Sequence, residues 1–229
     1  MQFRDRREAG RALAKELAFL KGRPDIVVLA IPRGGVVIGF QVAQELGAPL
    51  DVYITRKIGA PYNPELALGA VASDGSVVLD DDLMHRLGVS SDFIEEEIAQ
   101  QQTEIQRRIE KYRGGREAMD LTGKTVVLVD DGVATGATTL VTIRALKKQP
   151  LAKLILAIPV GPPDTIAKLS KEVDQVVCLS TPEPFWAVGA FYLVFDQTSD
   201  EEVTQLLRAS ERRGEAGGKS ARPDGKPSG

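Results

Sequence analysis

The chain has 229 residues, of which 43% are hydrophobic and 27% are charged, and its formal net charge is −3. This length suits one large domain or one domain with an insertion, and the apolar share is enough for a full core, which excludes global disorder. One cysteine and one histidine exclude a disulfide framework, a cysteine-rich zinc site and any centre of several imidazoles. The negative charge argues against a protein that binds nucleic acid over its whole surface.

No apolar run reaches the roughly 18 residues that a membrane span needs. The N-terminus is charged from Arg4 onward and carries no apolar signal region. We therefore expect a cytoplasmic protein with no membrane partner.

In chain order, strand and helix patterns alternate. Apolar spacing predicts a first helix around Leu13 and Leu17, with Phe3 and Leu20 at its ends, and further helices at 36–46 and 138–147. Short, continuous apolar runs predict strands that are buried on both faces, as in a parallel sheet. These runs lie at 26–31, 52–54, 70–72, 77–79, 126–129, 154–160, 176–179 and 192–195. The alternation predicts an α/β fold with a doubly wound, mostly parallel sheet.

Residues 80–116 interrupt this alternation and are predicted to form a helical insertion. Residues 90–113 are very polar, with a thin apolar stripe of Ile94, Ile98, Ile105, Ile109 and Tyr112. A helix lying on its own domain is the favoured interpretation; a lid and a dimer contact are the alternatives. The acidic run that begins at Asp80 is interpreted as a solvated turn and helix cap.

The chain is predicted to end in a helix followed by a flexible tail. Ser199 and Glu202 form a capping box that starts the helix. The domain is expected to extend over 1–213. Residues 214–229 are rich in Gly, Ser, Pro and Lys with almost no apolar side chains, so they cannot bury enough surface to offset the entropy of ordering.

The most informative segment begins at residue 126, where four apolar residues end in Asp130 and Asp131. A loop of small and hydroxyl residues follows, and a helix pattern comes after it. Parallel strands of α/β sheets bind ligands at their carboxyl ends, and the next helix presents free N–H groups there. There is no Gly-Lys-Ser/Thr sequence of a P-loop and no G-x-G-x-x-G. This arrangement favours a phosphate site without a lysine.

Two acids beside a phosphate site would repel the phosphate unless they faced something else. Ribose hydroxyls and Mg²⁺ are suitable partners, because carboxylates accept hydroxyl protons and bind hard cations. A sugar phosphate satisfies both requirements. The alternative is a helix N-cap with solvated acids, which we consider weaker because strand, acid pair, loop and helix start occur together.

The segment resembles the phosphoribosyl pyrophosphate (PRPP) signature of type I phosphoribosyltransferases. The resemblance implies that Asp130 and Asp131 hold the ribose and that the following loop holds the 5′-phosphate. Residues 30–35 are similar to the family's pyrophosphate loop, with Arg33 as the basic residue; the alternative is a simple strand–helix turn. The implied PRPP-binding residues are Arg33, Gly34, Gly35, Asp130, Asp131, Gly132, Val133, Ala134, Thr135, Gly136, Ala137 and Thr138.

Two further segments support the resemblance. Residues 56–65 begin with Arg56 and Lys57 and lie where the family keeps a mobile loop that closes over PRPP; an ordinary surface loop is the alternative. Residues 180–192 resemble the hood that receives the nucleobase, so Phe185 or Trp186 would stack on the acceptor. Each ring could equally be aromatic core. The spacing from Phe185 to Gly189 is one residue longer than in purine salvage enzymes, which leaves the base open.

The resemblance implies transfer of a phosphoribosyl group from PRPP to a nitrogen acceptor, with a purine-like base favoured, and release of pyrophosphate. The implied catalytic residues are Arg33, Arg56, Lys57, Asp130 and Asp131. Mg²⁺ is the implied cofactor, bound mainly through PRPP, with Asp130 and Asp131 as candidate protein ligands. A homodimer is expected. No clear general base is present, although Glu183 is a candidate.

Two other interpretations remain open. A regulatory protein could keep the PRPP fold and bind the ligand without catalysis. A receiver-type signalling domain also ends a strand in two aspartates, but it carries them near its start, whereas the pair here lies past the middle of the chain.

Overall fold

The computed structural model describes residues 1–219. Its main sheet contains five parallel strands in the order β2-β1-β6-β7-β8. These are β1 (Ile26–Ala30), β2 (Leu50–Val52), β6 (Thr125–Val129), β7 (Lys153–Val160) and β8 (Gln175–Ser180). The three remaining strands, β3 (Thr55–Ala60), β4 (Asn63–Ala72) and β5 (Val77–Leu79), form a separate antiparallel sheet.

The apolar runs of the main strands face two cores. Along β1, Val28 and Ala30 contribute to one buried cluster, whereas Val27 and Leu29 contribute to the other. The two clusters cover opposite faces of the sheet, which is why these strands read as continuous apolar runs. The α/β fold with a doubly wound, mostly parallel sheet is confirmed.

Helices cover both faces of the sheet. The clusters are completed on one face by α1 (Arg6–Glu16), α2 (Gly34–Leu46), α4 (Ser91–Arg113) and α7 (Asp200–Lys219), and on the other by α5 (Ala137–Leu146) and α6 (Pro163–Leu169). Short 3₁₀ turns lie at Ala18–Leu20 and Val188–Phe191, and α3 (Asp81–Leu87) precedes α4. Ser199 accepts a hydrogen bond from the amide of Glu202, so the predicted helix start is confirmed.

The insertion follows the antiparallel sheet. Helix α4 packs against α7, β3 and β4, and its stripe residues Ile94, Ile105 and Tyr112 are buried. The favoured interpretation, a helix lying on its own domain, agrees with this packing. Asp80 caps α3 by accepting a hydrogen bond from the amide of Leu83, as predicted.

Several predictions about individual segments were wrong. Residues 70–72 and 77–79 belong to antiparallel strands rather than to the parallel sheet. Residues 192–195 form no strand; only Tyr192 makes an isolated bridge, with Phe3. Cys178, which the apolar run at 176–179 suggested to be buried, is half-buried because β8 is the last strand of the sheet.

The end of the chain also differs from the prediction. Helix α7 continues to Lys219, so the tail predicted for 214–229 begins inside this helix. Residues 220–229 lie outside the described residues. Of the helices within 1–219, none is both long and apolar enough to span a lipid bilayer.

Candidate functional site

The strand order places two loops side by side. Strand β1 pairs with β2 on one side and with β6 on the other, and Ala30 is level with Val129. The amide of Ile31 continues this pairing by donating to the carbonyl of Val129 at 2.9 Å. The chains that leave β1 and β6 therefore separate at a topological switch point, which is where ligands of such sheets bind.

The acid pair lies at this point. Asp130 and Asp131 directly follow β6, and the amide of Asp131 donates to Oδ1 of Asp130 at 2.8 Å. Only 16% of the Asp131 side chain is exposed. The two carboxylates therefore project from adjacent positions into a largely desolvated corner.

Arg6 in the first turn of α1 holds Asp131. Its Nε donates to Oδ2 of Asp131 at 2.7 Å, and its Nη1 donates to the carbonyl of Asp196 at 2.7 Å. Its guanidinium lies 3.8 Å from the centre of the Phe195 ring. The hydroxyl of Tyr192 donates to the backbone carbonyl of Asp131 at 2.5 Å. A cation and two aromatic residues thus surround the second acid.

Gly34 and Gly35 lie directly against the acid pair. A β-carbon on Gly34 would overlap Oδ2 of Asp131 and would come within 2.7 Å of Nε of Arg6. A β-carbon on Gly35 would lie 3.2 Å from Oδ1 of Asp130. The first turn of α2 can therefore approach the carboxylates only because it carries glycine, and this brings the predicted pyrophosphate loop to the predicted ribose site.

Burial governs the electrostatics of the pair. Desolvation raises the pKa of Asp130 well above the ordinary aspartate value, and the adjacent charge of Asp131 adds to this shift. Desolvation also raises the pKa of Asp131, while the hydrogen bond and charge of Arg6 oppose it. Tyr192 has a raised pKa for the same reason, mainly from burial and then from Asp131. The corner therefore favours a partner that donates hydrogen bonds or carries positive charge.

The loop after the acids leads into α5. Gly136 precedes this helix in the left-handed conformation, with φ of +73°, and gives it no side-chain cap. The amide of Ala137 donates to Oγ1 of Thr135 at the long distance of 3.4 Å, and the N–H groups that follow it in the first turn of α5 can serve a ligand. Thr165 pins the loop by donating to the carbonyl of Ala134 at 2.9 Å.

The residues of this loop differ in how accessible they are to a ligand. Ala134, Thr135, Ala137 and Thr138 are exposed. Val133 is buried and its amide donates to the carbonyl of Val160, so its side chain and its N–H are already engaged. The structure gives Val133 a packing role at the base of the loop.

Arg33 lies at the start of α2, after a cis peptide bond between Pro32 and Arg33. Its Nη1 lies 3.9 Å from Oδ1 of Asp200, at the start of α7. Asp200 also accepts a hydrogen bond from the Tyr112 hydroxyl at 2.6 Å and forms an ion pair with Lys111. The Tyr112 and Lys111 contacts lower the pKa of Asp200, so it stays ionised beside Arg33.

Arg56 and Lys57, predicted to begin a mobile loop between strands, lie on strand β3 of a hairpin. Nε of Arg56 donates to Oε1 of Gln101 on α4 at 2.9 Å. Both cations line a cleft of about 440 Å³ between the hairpin and α4, and Thr138 from the phosphate loop lines the same cleft. The structure therefore brings the predicted cations of the hairpin to one end of that loop.

The hood approaches the site from the other side. A β-carbon on Gly132 would lie 2.5 Å from Cγ1 of Val188, so the hood packs directly on the loop. Phe185 stacks on Phe191 with 5.0 Å between ring centres, whereas Trp186 is 83% exposed. Glu183 is also exposed. Of the two predicted aromatic residues, Trp186 has the more accessible ring.

The sequence interpretation missed Arg6 and Tyr192. An arginine in the first turn of a helix opposes the helix dipole, so its position calls for an acidic partner. That signal was present in the sequence. The identity of the partner, 125 residues away, depended on the fold.

Comparison with known proteins agrees with this geometry. A family model described as phosphoribosyl transferase domain matches residues 3–196. Two Mycobacterium tuberculosis proteins named "putative phosphoribosyl transferase", from strains CDC 1551 / Oshkosh and H37Rv, are each 46% identical over 223 residues. The match covers 97% of this chain and 50% of each relative, so the chain spans about half the length of these curated relatives.

A solved structure is similar over almost its whole length. The crystal structure of TT1426 from Thermus thermophilus has a TM-score of 0.81 and 43% sequence identity, and the match covers 90% of this chain and 98% of that one. The family match excludes the receiver-type interpretation. The chain belongs to the phosphoribosyl transferase domain family.

Proposed function

We propose that the protein transfers a phosphoribosyl group from Mg-PRPP to a nitrogen acceptor and releases pyrophosphate, with a purine-like base as the favoured acceptor. The observation that carries the proposal is the switch-point corner, where the acid pair, the Gly34–Gly35 turn and the start of α5 converge. A ligand there would need a diol for the acids and phosphates on both sides, and PRPP has this chemistry.

In this proposal the protein contributes orientation and charge rather than a covalent step. Asp130 and Asp131 accept hydrogen bonds from the ribose hydroxyls and lie close to the positive charge that develops on the ring as the bond to pyrophosphate breaks. The N–H groups in the first turn of α5 hold the 5′-phosphate. Arg33 and the amides of Gly34 and Gly35 stabilise the leaving pyrophosphate.

The hairpin cations complete the proposed site. Arg56 and Lys57 would add positive charge near the phosphates and help exclude water as the cleft closes over the substrate. Trp186 would stack on the acceptor. The proton on the acceptor nitrogen has no assigned base; Glu183 remains the candidate.

The donor set fits a magnesium ion that is shared with the substrate. Among the described residues, no group of three or more acidic, histidine or cysteine side chains could hold a metal. The two adjacent carboxylates can supply one or two ligands, and Mg²⁺ commonly takes the rest from substrate phosphates and water. When bound, the ion would offset the negative charge of the leaving pyrophosphate.

A regulatory protein that binds PRPP without turnover is the second candidate. The observation that favours it is the position of Arg33, which lies beside the ionised Asp200. An arginine that stays with this carboxylate could not assist the leaving group. The same corner would then bind the ligand without promoting transfer.

One experiment separates the two candidates. The protein is incubated with PRPP, Mg²⁺ and a panel of purine and pyrimidine bases, and pyrophosphate release is measured. Turnover that is lost in Arg33→Ala or Lys57→Ala supports the enzyme. PRPP binding without turnover on any base would favour the regulator, and the absence of PRPP binding would overturn both.

A further inference from the structure

Arg6 links the acid pair to the hood. It is 12% exposed, and one guanidinium reaches both Oδ2 of Asp131 and the carbonyl of Asp196. The Phe195 ring covers one of its faces. Tyr192, three residues before Phe195, donates to the carbonyl of Asp131. Asp131 is thus connected directly to the last residue of the hood and, through Arg6, to the segment that follows it.

This arrangement fixes the direction of the Asp131 carboxylate. Oδ2 is occupied by Nε of Arg6, so a ligand has to use Oδ1 or the free lone pair of Oδ2. Gly34 closes the remaining space beside this ion pair, because any larger residue would overlap Oδ2. Arg6 also supplies one positive charge beside two adjacent negative ones, which reduces the repulsion that a phosphorylated ligand meets.

We propose that Arg6 is a positioning residue of the phosphoribosyl site, which acts through Asp131 to hold the ribose-binding carboxylate in register with the hood. The inference rests on the proposed function for its ligand. It assigns Arg6 no contact with the reacting atoms. Its effect should therefore appear on ligands that carry the ribose diol and should disappear when Asp131 no longer has a carboxylate.

Arginine has a specific advantage over lysine here. Its planar fork can donate along two directions from a fixed geometry and can stack on an aromatic ring, whereas an ammonium is a single point charge. Lysine at position 6 would restore the charge without holding Asp131 and Asp196 together. The lysine variant therefore separates charge from geometry.

The first test compares two ligands by calorimetry in the presence of Mg²⁺. Ribose 5-phosphate carries the diol, and inorganic pyrophosphate does not. Arg6→Met should weaken the binding of ribose 5-phosphate by about tenfold or more, which is the scale of a lost charge-assisted contact. It should weaken the binding of pyrophosphate by less than about threefold. The affinity of Arg6→Lys for ribose 5-phosphate should lie between those of Arg6→Met and wild type. Equal weakening of both ligands would indicate a general structural role and overturn the inference, as would wild-type binding by Arg6→Met.

Arg7→Met is the matched control. It removes the same charge from the same helix turn, but Arg7 is 53% exposed and its ion pair is with Glu202. Ribose 5-phosphate affinity should stay within about twofold of wild type. A tenfold loss in this control would mean that the charge of the helix, and not the Arg6 contact, matters.

A double-mutant cycle gives the second test. If Arg6 acts through Asp131, the Arg6→Met/Asp131→Asn protein should bind ribose 5-phosphate within about twofold of Asp131→Asn alone. Additive losses would overturn the inference. Circular dichroism checks that each variant is folded. If Arg6→Met does not fold, Arg6→Lys, which keeps a cation in place, takes its position in both tests.

The outcomes separate the inference from the function it rests on. Wild-type protein that binds ribose 5-phosphate but transfers to no base would overturn the enzyme, while the Arg6 comparison still decides the inference. Turnover in wild type together with unchanged binding in Arg6→Met would leave the enzyme and remove the role of Arg6. Wild-type protein that binds neither ribose 5-phosphate nor PRPP would overturn both, and if it binds PRPP alone, PRPP replaces ribose 5-phosphate in both tests.

Discussion

The switch-point corner and the hairpin–insertion region differ in how they are built. The corner is formed by strand ends and helix starts whose side chains are largely buried, and its carboxylate–guanidinium pair is 12–16% exposed. The hairpin and α4 meet along a polar cleft, where Arg56 touches Gln101 and most of α4 faces solvent. The part proposed to hold the sugar phosphate therefore belongs to the core, whereas the cover, formed by the hairpin and α4, has a polar side at the cleft and joins the core at points that include Ile58, Leu68 and Ile105.

One of those points is a buried ion pair. Arg113, the last residue of α4, bonds Asp51 on β2 through Nε and Nη2, and the two side chains are 7% and 3% exposed. Nη2 also donates to the carbonyl of Val52. Arg113 thus anchors the end of α4 to the core sheet, and the contrast between the two regions can be tested by removing contacts from each in turn.

The largest loss of stability is expected at the Arg113–Asp51 ion pair. Arg113→Met should lower the free energy of unfolding by about 3–5 kcal/mol, because it leaves the Asp51 carboxylate buried without its cation. Urea denaturation measures this change. Arg107→Met on the same helix is the control; its side chain is 59% exposed, so solvent screens its ion pair with Glu104 and the loss of stability should be much smaller. Similar losses in both variants would contradict the anchoring role of Arg113.

In the switch-point corner, the largest loss of PRPP affinity is expected when Gly34 gains a methyl group. Gly34→Ala places a β-carbon into Oδ2 of Asp131 and against Arg6. Overpacking of this kind costs about 1–3 kcal/mol, which corresponds to a loss of up to about 100-fold in PRPP affinity if it displaces the carboxylate. Calorimetry with Mg-PRPP measures the affinity.

Gly39→Ala provides the comparison within the same helix. Its β-carbon would lie 3.0 Å from Leu50 and 3.1 Å from Ala30, in the core and away from the acids. This variant should lose stability but keep its PRPP affinity. If Gly39→Ala weakened PRPP as much as Gly34→Ala, the close approach of Gly34 to Asp131 would not be the cause.

The two aspartates should respond differently to neutralisation when no divalent cation is present, because only Asp131 is held by Arg6. Asp131→Asn removes a desolvated charge but also the charge that Arg6 binds, so the two effects oppose each other and stability at pH 7 should change less than in Asp130→Asn. Asp130→Asn removes a buried charge with a raised pKa, so it should raise the melting temperature at pH 7. Both variants should weaken Mg-PRPP by about 1 kcal/mol or more, roughly fivefold or greater.

The pH dependence of stability tests the raised pKa of Asp130. An aspartate with a raised pKa binds its proton more tightly in the folded state, so stability falls as pH rises from its ordinary value near 3.8 through the raised value. Asp130→Asn should reduce this fall and leave the part that comes from the raised pKa of Asp131. Thermal melts in a chelator from about pH 4 to about pH 8 measure it, and a pH profile for Asp130→Asn parallel to that of wild type would show that burial does not shift this carboxyl.

The corner was far more predictable from sequence than its cover. Strands β1 and β6 are buried on both faces, which leaves a continuous apolar run, and the acids after β6 interrupt it sharply. The strand at 77–79 has the same short apolar pattern, yet it pairs antiparallel with β4, because a three-residue run does not reveal which neighbour it will pair with. Residues 192–195 form no strand; Tyr192 stacks on Phe195, and the Phe195 ring lies against Arg6. Contacts between distant segments, such as Arg6 with Asp131, depend on how the helices are placed.

The smallest effect is expected where the cover touches a proposed catalytic cation. Gln101→Ala removes the acceptor that holds Nε of Arg56, so Arg56 should sample more orientations and bind the phosphates of PRPP less well. We expect the KM for PRPP to rise by about two- to tenfold, the scale of one partly exposed hydrogen bond. Gln100→Ala changes the adjacent, exposed glutamine and should leave the KM unchanged. Gln101 belongs to the insertion, so a KM that rises in Gln101→Ala but not in Gln100→Ala would mean that α4 sets the position of the hairpin. The same KM in both variants would mean that the hairpin closes independently of α4.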